Sequence, residues 1–159
     1  MNRTISHKLT SALTKITLAA ALITLAACNS GAPLSDEAQL RAVLEKMELG
    51  AETRSLSDIM DHVSNNYKDP KGNDIEALKK LIRFQFIRNQ NINIFSKVNE
   101  IEVLEKAATV EMSLAMTSGK LDLSKPTNRL RADTFKFSLL FSREKNLWLL
   151  KSGTWQQGW

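Results

Sequence analysis

Residues 92–103 read INIFSKVNEIEV, and this stretch decides the fold of the chain. Apolar Ile92 and Ile94 alternate with polar neighbours, which is the period-2 pattern of a half-buried strand. The apolar residues then change from even-numbered to odd-numbered positions, at Ile101 and Val103. Because a slip of one residue would turn every later side chain to the opposite face, a β-bulge is predicted within residues 97–100.

Three further alternating runs follow along the chain. Their apolar residues are Val110, Met112, Leu114 and Met116, then Phe135, Phe137, Leu139 and Phe141, then Leu147 to Leu150 and Trp155. Residues 118–119 and 143–146 are typical of hairpin connections, and residues 118–132 form a longer loop that contains Pro126. Four long antiparallel strands are therefore predicted. In the loop, Arg129 and Arg131 either gate the mouth of a pocket or are simply solvated.

Three helices are predicted ahead of these strands. Ser35 precedes Asp36 and Glu37, so an N-cap and an acidic first turn open an amphipathic helix over residues 36 to about 53. Ser55, three residues before Asp58, caps a short second helix. Residues 63–69 are predicted to form a short strand, which the turn sequence at 69–72 closes.

The third helix is predicted to begin after Asn73 as its N-cap. Its apolar residues are Ile75, Leu78, Leu81, Ile82, Phe86 and Ile87. Because these residues occupy more than one narrow stripe, we expect this helix to be more deeply covered than the first.

Helices followed by a run of strands predict an α+β fold, with the helices packed on one face of a sheet. Three features carry a family resemblance: this order of elements, segment 63–72 before the third helix, and a last strand that ends at Trp155. By these features, residues 35–157 resemble the nuclear transport factor 2-like superfamily, which includes the SnoaL-like domains. The resemblance implies three N-terminal helices packed on a curved, mainly antiparallel sheet of four to five strands, shaped like a cone. Residues 35–159 are predicted to be one such domain.

The N-terminal segment has the pattern of an export signal. Residues 1–15 contain Arg3, Lys8 and Lys15 and no acidic residue, and the chain is then largely apolar up to Ala27. A basic region, a short apolar region and small residues at the end define a secretory signal peptide, here residues 1–27. The apolar run is shorter than the roughly 20 residues that a membrane span needs.

Leu25-Ala26-Ala27-Cys28 resembles the lipobox of bacterial lipoproteins. The resemblance implies that Cys28 carries the lipid and that residues 28–34 form a lipidated tether between the membrane and the domain. Asn29 stands where an aspartate would retain such a protein in the inner membrane of a Gram-negative bacterium. The expected location is therefore the outer membrane, facing the periplasm. The alternative is a signal peptide that is cut elsewhere without lipidation.

Charge and cysteine content narrow the classes of function. The chain has 22 Lys and Arg and 17 Asp and Glu, and residues 1–27 hold three of the basic residues, so the mature part is close to neutral. A mixed solvated surface is expected, and no nucleic-acid partner. Cys28 is the only cysteine, which excludes an intramolecular disulfide and a thiol nucleophile in the domain.

Few residues of the mature chain suit catalysis. Enzymes of the resembled superfamily commonly use a His with a carboxylate, but the mature chain has only His62, and its neighbour Asp61 would face another direction on a helix. No set of residues has the number and spacing of a metal site, and no phosphate-binding loop is present. The sequence therefore predicts no catalytic residue, no metal and no cofactor.

A ligand pocket is the remaining candidate for a site. In a cone fold the core and the pocket share one concave face, so the candidate lining residues are also candidate core residues. They are Met60, Tyr67, Met112, Phe137 and Trp148. Trp155 and Trp159 either cover the sheet or form an exposed aromatic patch for a partner.

Three functions remain open. The first is a non-enzymatic accessory lipoprotein that binds a small apolar ligand or a protein partner. The second is a SnoaL-like lyase or isomerase that uses His62 with Tyr67 or a carboxylate inside the cone. The third is a structural protein that forms a homodimer through its sheet, which an exposed apolar outer face on the strands over residues 107–150 would favour.

Overall fold

The structure, a computed structural model, describes residues 33–118 and 132–158. The predicted signal peptide, Cys28 with most of its tether, the loop residues Arg129 and Arg131, and Trp159 lie outside the described residues. In the described parts, no helix has both the length and the hydropathy of a membrane span.

The described residues form three helices followed by four strands. The helices are α1 (Asp36–Glu52), α2 (Leu56–Met60) and α3 (Ile75–Arg88). The strands are β1 (Ile92–Leu104), β2 (Ala107–Ser118), β3 (Ala132–Glu144) and β4 (Leu147–Gln157). The strands lie in sequence order in one open antiparallel sheet, so the predicted α+β class is confirmed.

Bulges shift the register of the sheet at two places. In the β1–β2 pair the shift lies between Val98 and Glu100, within the range predicted from the sequence. The β3–β4 pair has a second shift after Leu140, where Phe141 pairs with Leu150 while Leu140 pairs with Ser152. A bulge bends its strand and increases the local twist, so the sheet is more strongly twisted at both shifts.

The core lies between α1 and one face of the sheet. Helix α1 packs on β1 and β4, and its Leu40 and Leu44 are buried. Facing them are side chains from the three strands β2, β3 and β4, with Val110, Phe141 and Trp148 among the most deeply buried. A smaller cluster of Ile59, Phe86 and Ile92 joins α2 and α3 to the start of β1.

Local capping follows the sequence with one correction. The side-chain oxygens of Ser35 and Ser55 accept hydrogen bonds from the backbone N–H groups of Ala38 and Asp58, as predicted. The predicted cap Asn73 was wrong, because the carboxylate of Asp74 accepts the hydrogen bond from the N–H of Ala77 at 2.9 Å. Asn73 instead donates its side-chain N–H to Asp69.

Residues 63–69 do not form the predicted strand. Val63 bridges to Leu150 and Lys68 bridges to Asp74, each as an isolated pair. Between them the N–H of Tyr67 turns back to the carbonyl of Ser64, so a continuous ladder cannot form. We call residues 63–68 the strap, because they cross to β4 without becoming a fifth strand.

Helix α3 is less covered than expected. Phe86 is its only buried residue, whereas α1 buries Leu40, Leu44 and Gly50. Ile87, predicted to lie inside, has 76% of its surface exposed. The apolar residues of α3 therefore occupy two sides of the helix, of which one faces the core and the other faces solvent.

Candidate functional site

A depression lies between the turn that precedes α3, the first turns of α3 and the end of β4. Its volume is about 200 Å³. We call it the Tyr67 depression. Its lining residues are Tyr67, Asp69, Lys71, Asn73, Ala77, Leu78, Leu81 and Trp155. The side that comes from α3 is apolar, and the side that comes from the turn is polar.

The strap holds Tyr67 in place by backbone hydrogen bonds to β4. The N–H of Ser64 donates to the carbonyl of Leu150 at 3.0 Å, and the N–H of Lys68 donates to that of Lys151 at 3.1 Å. Tyr67 is only 4% exposed, and burial, followed by the nearby charge of Asp69, raises the pKa of its hydroxyl. The hydroxyl is therefore protonated at neutral pH and remains a hydrogen-bonding group.

Asp69 organises the polar wall. Its Oδ1 accepts hydrogen bonds from the backbone N–H groups of Lys71 at 2.9 Å and Asn73 at 2.8 Å, and its Oδ2 accepts one from Asn73 Nδ2 at 2.7 Å. These bonds, with the side chain of Asn73 first, hold the pKa of the carboxyl below its usual range. Gly72 closes the turn at φ 87°, a conformation that side chains rarely adopt. Asp69 is therefore an ionised anchor for the turn.

Trp155 is the aromatic residue of the lining at the end of β4, and its ring neighbours two further rings on β3 that lie outside the lining. The ring centroids of Phe137 and Trp155 lie 6.5 Å apart, and those of Phe135 and Phe137 lie 6.1 Å apart. The ammonium group of Lys71 lies 5.3 Å from the centroid of Trp155, within the range of a cation–π contact. Lys71 therefore provides a cation at the rim of the depression, directly beside an aromatic surface.

The structure separates four of the five predicted pocket residues from this depression. Met112 and Trp148 are buried in the main core and Phe137 packs against it, which is the core alternative that their strand spacing left open. Met60, from α2, also packs against this core. Only Tyr67 lines the depression. That these five residues contact a ligand stays a prediction.

His62 lies elsewhere. It lines a second depression of about 220 Å³, together with Lys46, Leu49, Asp58 and Asp61. Burial and then the charge of Lys46 lower the pKa of His62, although Asp61 and Asp58 act in the opposite direction. This depression shares no lining residue with the Tyr67 depression, so His62 and Tyr67 do not meet in one site.

Sequence reasoning missed most of the Tyr67 depression. Asp69 and Lys71 were assigned only to a turn, and Leu81 only to a helix core. The useful signal was the turn sequence at 69–72, since an Asp that binds backbone N–H groups two and four residues later is a known turn anchor. In residues 33–118 and 132–158, no group of three or more His, Cys, Asp and Glu side chains is placed to hold a metal ion.

The outer face of the sheet is mixed in character. The alternation of β3 and β4 places Leu140 and Leu147 there, with 41% and 62% of their surfaces exposed. Along β1 and β2, however, Glu100 pairs directly with Glu111 on the same face, and like charges in such a pair repel. Homodimerisation through the sheet stays a prediction.

Known structures share this architecture. No family model and no curated protein matches the chain. A proposed dehydratase of the nuclear transport factor 2-like family from Streptomyces avermitilis superposes with a TM-score of 0.62 at 12% identity, over 78% of this chain and 97% of that one. The chain has the nuclear transport factor 2-like fold. The superposition confirms the fold that the order of elements predicted.

Other neighbours of the same fold differ in function. Hexachlorocyclohexane dehydrochlorinase from Novosphingobium barchaimii has a TM-score of 0.62 at 9% identity, covering 77% of this chain and 86% of that chain. A protein of unknown function from Nostoc punctiforme with a cystatin-like fold also scores 0.62, at 10% identity, over 79% and 94%. Against Bd1075 from Bdellovibrio bacteriovorus, the match spans only 40% of that protein. The fold therefore accommodates both enzymes and proteins without a known activity.

Proposed function

We propose that the chain is a lipoprotein, anchored through Cys28 in the outer membrane and facing the periplasm, whose domain binds a small ligand in the Tyr67 depression without converting it. The observation that carries the binding proposal is the lining of the depression, where apolar side chains lie beside the cation of Lys71. The two titratable groups there with shifted pKa values argue against conversion of the ligand. The hydroxyl of Tyr67 has a raised pKa and the carboxyl of Asp69 a lowered one. A general acid or base works best when its pKa lies near the working pH, and both groups are shifted away from neutrality.

The lining of the depression defines the chemistry of the ligand. Trp155 offers a flat apolar surface, Leu78 and Leu81 offer aliphatic contact, and Lys71 offers a positive charge at the rim. Ligand pockets usually measure about 300–1,000 Å³, and a cavity of about 150 Å³ can hold a benzene ring. The ligand class that fits is therefore a single-ring or similarly small apolar molecule with one acidic group.

The binding proposal is tested with benzoate-sized carboxylates and their neutral amides, by isothermal titration calorimetry. We expect the carboxylates to bind more tightly than the amides and Lys71→Met to remove that preference. Trp155→Ala should weaken both classes. Lys46→Met serves as the matched control, because it removes a lysine from the second depression. Equal binding of the carboxylates by the parent protein, Lys71→Met and Trp155→Ala would show that the ligand does not use this depression.

A SnoaL-like lyase or isomerase is the alternative. Two structural neighbours are named as a dehydratase and a dehydrochlorinase. The reactions that these names describe are eliminations that involve proton transfer. His62 is the residue with the most suitable titration range, but it lines the other depression. The test is turnover by the purified protein that His62→Ala abolishes and Lys71→Met leaves unchanged. Such a result would replace the binding proposal with an enzymatic one.

The anchor is tested separately, by metabolic labelling with radioactive palmitate in a Gram-negative host. We expect the full chain to be labelled and to fractionate with the outer membrane. Cys28→Ser should be unlabelled and should remain with its uncut signal peptide. Equal labelling of the two chains would refute lipidation at Cys28 and leave the binding proposal untouched.

A further inference from the structure

The outward side of α3 carries a row of apolar side chains. Leu81, Phe84 and Ile87 expose 37%, 51% and 76% of their surfaces. Residues three apart are neighbours on a helix surface, so the three side chains form one continuous row, which we call the α3 stripe. The other side of the helix packs Leu78 and Phe86 into the two core clusters. The stripe is therefore additional apolar surface that the core of this domain does not use.

Basic residues surround the α3 stripe. Helix α3 contains four basic residues, Lys79, Lys80, Arg83 and Arg88, and a single acidic residue, Glu76. Glu76 pairs with Lys79 at 2.7 Å and so neutralises the lysine at the start of the helix. The guanidinium group of Arg88 lies 5.5 Å from the ring centroid of Phe84.

The excess of positive charge distinguishes α3 from the other long helix, α1. Helix α1 has the opposite balance, with five acidic residues and the two basic residues Arg41 and Lys46. The positive charge is therefore concentrated on the helix that also exposes the stripe, although the mature chain as a whole is close to neutral.

We propose that α3 docks on an anionic lipid surface. In such a contact Leu81, Phe84 and Ile87 enter the boundary between headgroups and acyl chains, while Lys80, Arg83 and Arg88 reach the lipid phosphates. A helix with exposed apolar residues beside Lys and Arg binds anionic bilayers by both effects together. The contact of Arg88 with Phe84 supports this arrangement, because it places a positive charge directly beside an apolar side chain of the stripe.

Docking has a consequence for the Tyr67 depression. Leu81 belongs both to the stripe and to the lining of the depression. When the stripe is in contact with lipid, the α3 edge of the depression lies at the bilayer surface. A small apolar ligand would then reach the depression from the membrane without crossing bulk water. The docking itself does not depend on lipidation of Cys28 or on any ligand.

The test uses residues 34–159, which form a compact unit containing every described helix and strand and both apolar clusters. Its binding is measured by flotation with vesicles of phosphatidylcholine, with and without phosphatidylglycerol. We expect binding only to the phosphatidylglycerol vesicles, and weaker binding at high salt. Since each basic residue near an anionic surface contributes about fivefold, the double variant Lys80→Gln/Arg83→Gln should bind roughly 30-fold more weakly.

An apolar variant and a matched control complete the design. Phe84→Ser/Ile87→Ser should lower vesicle binding at least about tenfold, because two exposed apolar side chains no longer enter the bilayer. Leu104→Ser/Leu147→Ser changes two leucines that are exposed to a similar degree, 64% and 62%, but lie at hairpin ends of the sheet. This control should bind as the parent does. Circular dichroism verifies that all variants remain folded.

Three results would overturn the proposal. The parent domain could fail to float with phosphatidylglycerol vesicles, or the α3 variants could bind as tightly as the control. The third is a dimer, seen by analytical ultracentrifugation, that Phe84→Ser/Ile87→Ser dissociates while vesicle binding is unchanged. That outcome would assign the α3 stripe to a second copy of the chain.

Discussion

Ser64→Ala should destabilise the domain by about 2 kcal/mol. Ser64 is fully buried, and its hydroxyl donates to Glu144 Oε1 at 2.7 Å while accepting from the N–H of Asn66 at 3.1 Å. Alanine removes both bonds. A bond to a charged group contributes about 1.5–3 kcal/mol and a neutral one about 0.5–1.5 kcal/mol, and we take the lower part of this range because Glu144 is partly exposed to water. The melting temperature should fall by about 8 °C.

The same substitution should show a defined pH dependence. Hydrogen bonds from Ser64 and then from Ser142 hold the pKa of Glu144 below its usual value of 4.5. The folded pKa is thus lower than the unfolded one, so this contribution is present above the unfolded pKa and is lost as the pH falls through the folded pKa. The difference in stability between the parent and Ser64→Ala should therefore be largest at pH 7 and narrow towards pH 3.

The measurement is urea unfolding at both pH values, combined with a double-mutant cycle that includes Glu144→Ala. We expect a coupling energy of at least about 1 kcal/mol at pH 7, because each single substitution breaks the same contact. A coupling below about 0.5 kcal/mol, or an unchanged cost of Ser64→Ala at pH 3, would refute the role assigned to the Ser64–Glu144 bond.

Three further substitutions or titrations test other contacts. Gly50→Ala should destabilise the domain by about 1 kcal/mol in thermal unfolding. The new Cβ would lie 3.0 Å from Cγ1 of Ile59 and 3.2 Å from the backbone N of Ile59. The cost of this crowding exceeds the gain in helix propensity. Tyr67 is the only tyrosine of the chain, and its hydroxyl should titrate above pH 10 in ultraviolet absorbance. The stability of the domain should fall as the pH rises through the folded pKa of Tyr67. Asp69→Asn should lower the midpoint of the Tyr67 titration. His62 should titrate below 6.5 by nuclear magnetic resonance, with stability lost as the pH falls through its folded pKa, and Lys46→Met should raise that midpoint.

The two bulges show what a strand pattern can and cannot reveal. In β1 the apolar phase changes from even to odd positions, with Val98 and Ile101 on either side of a polar pair, so the shift was visible in the sequence. In β4 the phase changes as well, from Trp148 and Leu150 to Gly153. It was hidden because Leu149 is also apolar and Gly153 has no side chain, so the alternation does not break visibly.

Short-range choices between similar residues were equally hard to predict. Asn73 and Asp74 are both good N-cap residues, and the sequence offers no preference between them. The choice is made by Asp69, which binds the side chain of Asn73 and leaves Asp74 to cap α3. In the same way, the depression depends on the contact of Lys71 with Trp155, two residues far apart in sequence that only the register of β4 brings together.

Helix α3 connects the binding proposal with the docking proposal. A helix whose apolar residues cover two sides cannot bury both against a single core, so one side stays on the surface, where a ligand, a partner or a membrane can cover it. Here Leu78 packs against the core, Leu81 lines the depression, and Phe84 continues the same surface outward beside Arg88. The sequence showed the excess of apolar residues in α3 but led to the expectation of deeper burial. The positive charge of the helix argues instead that the excess apolar surface faces anionic lipid, with the depression at its edge.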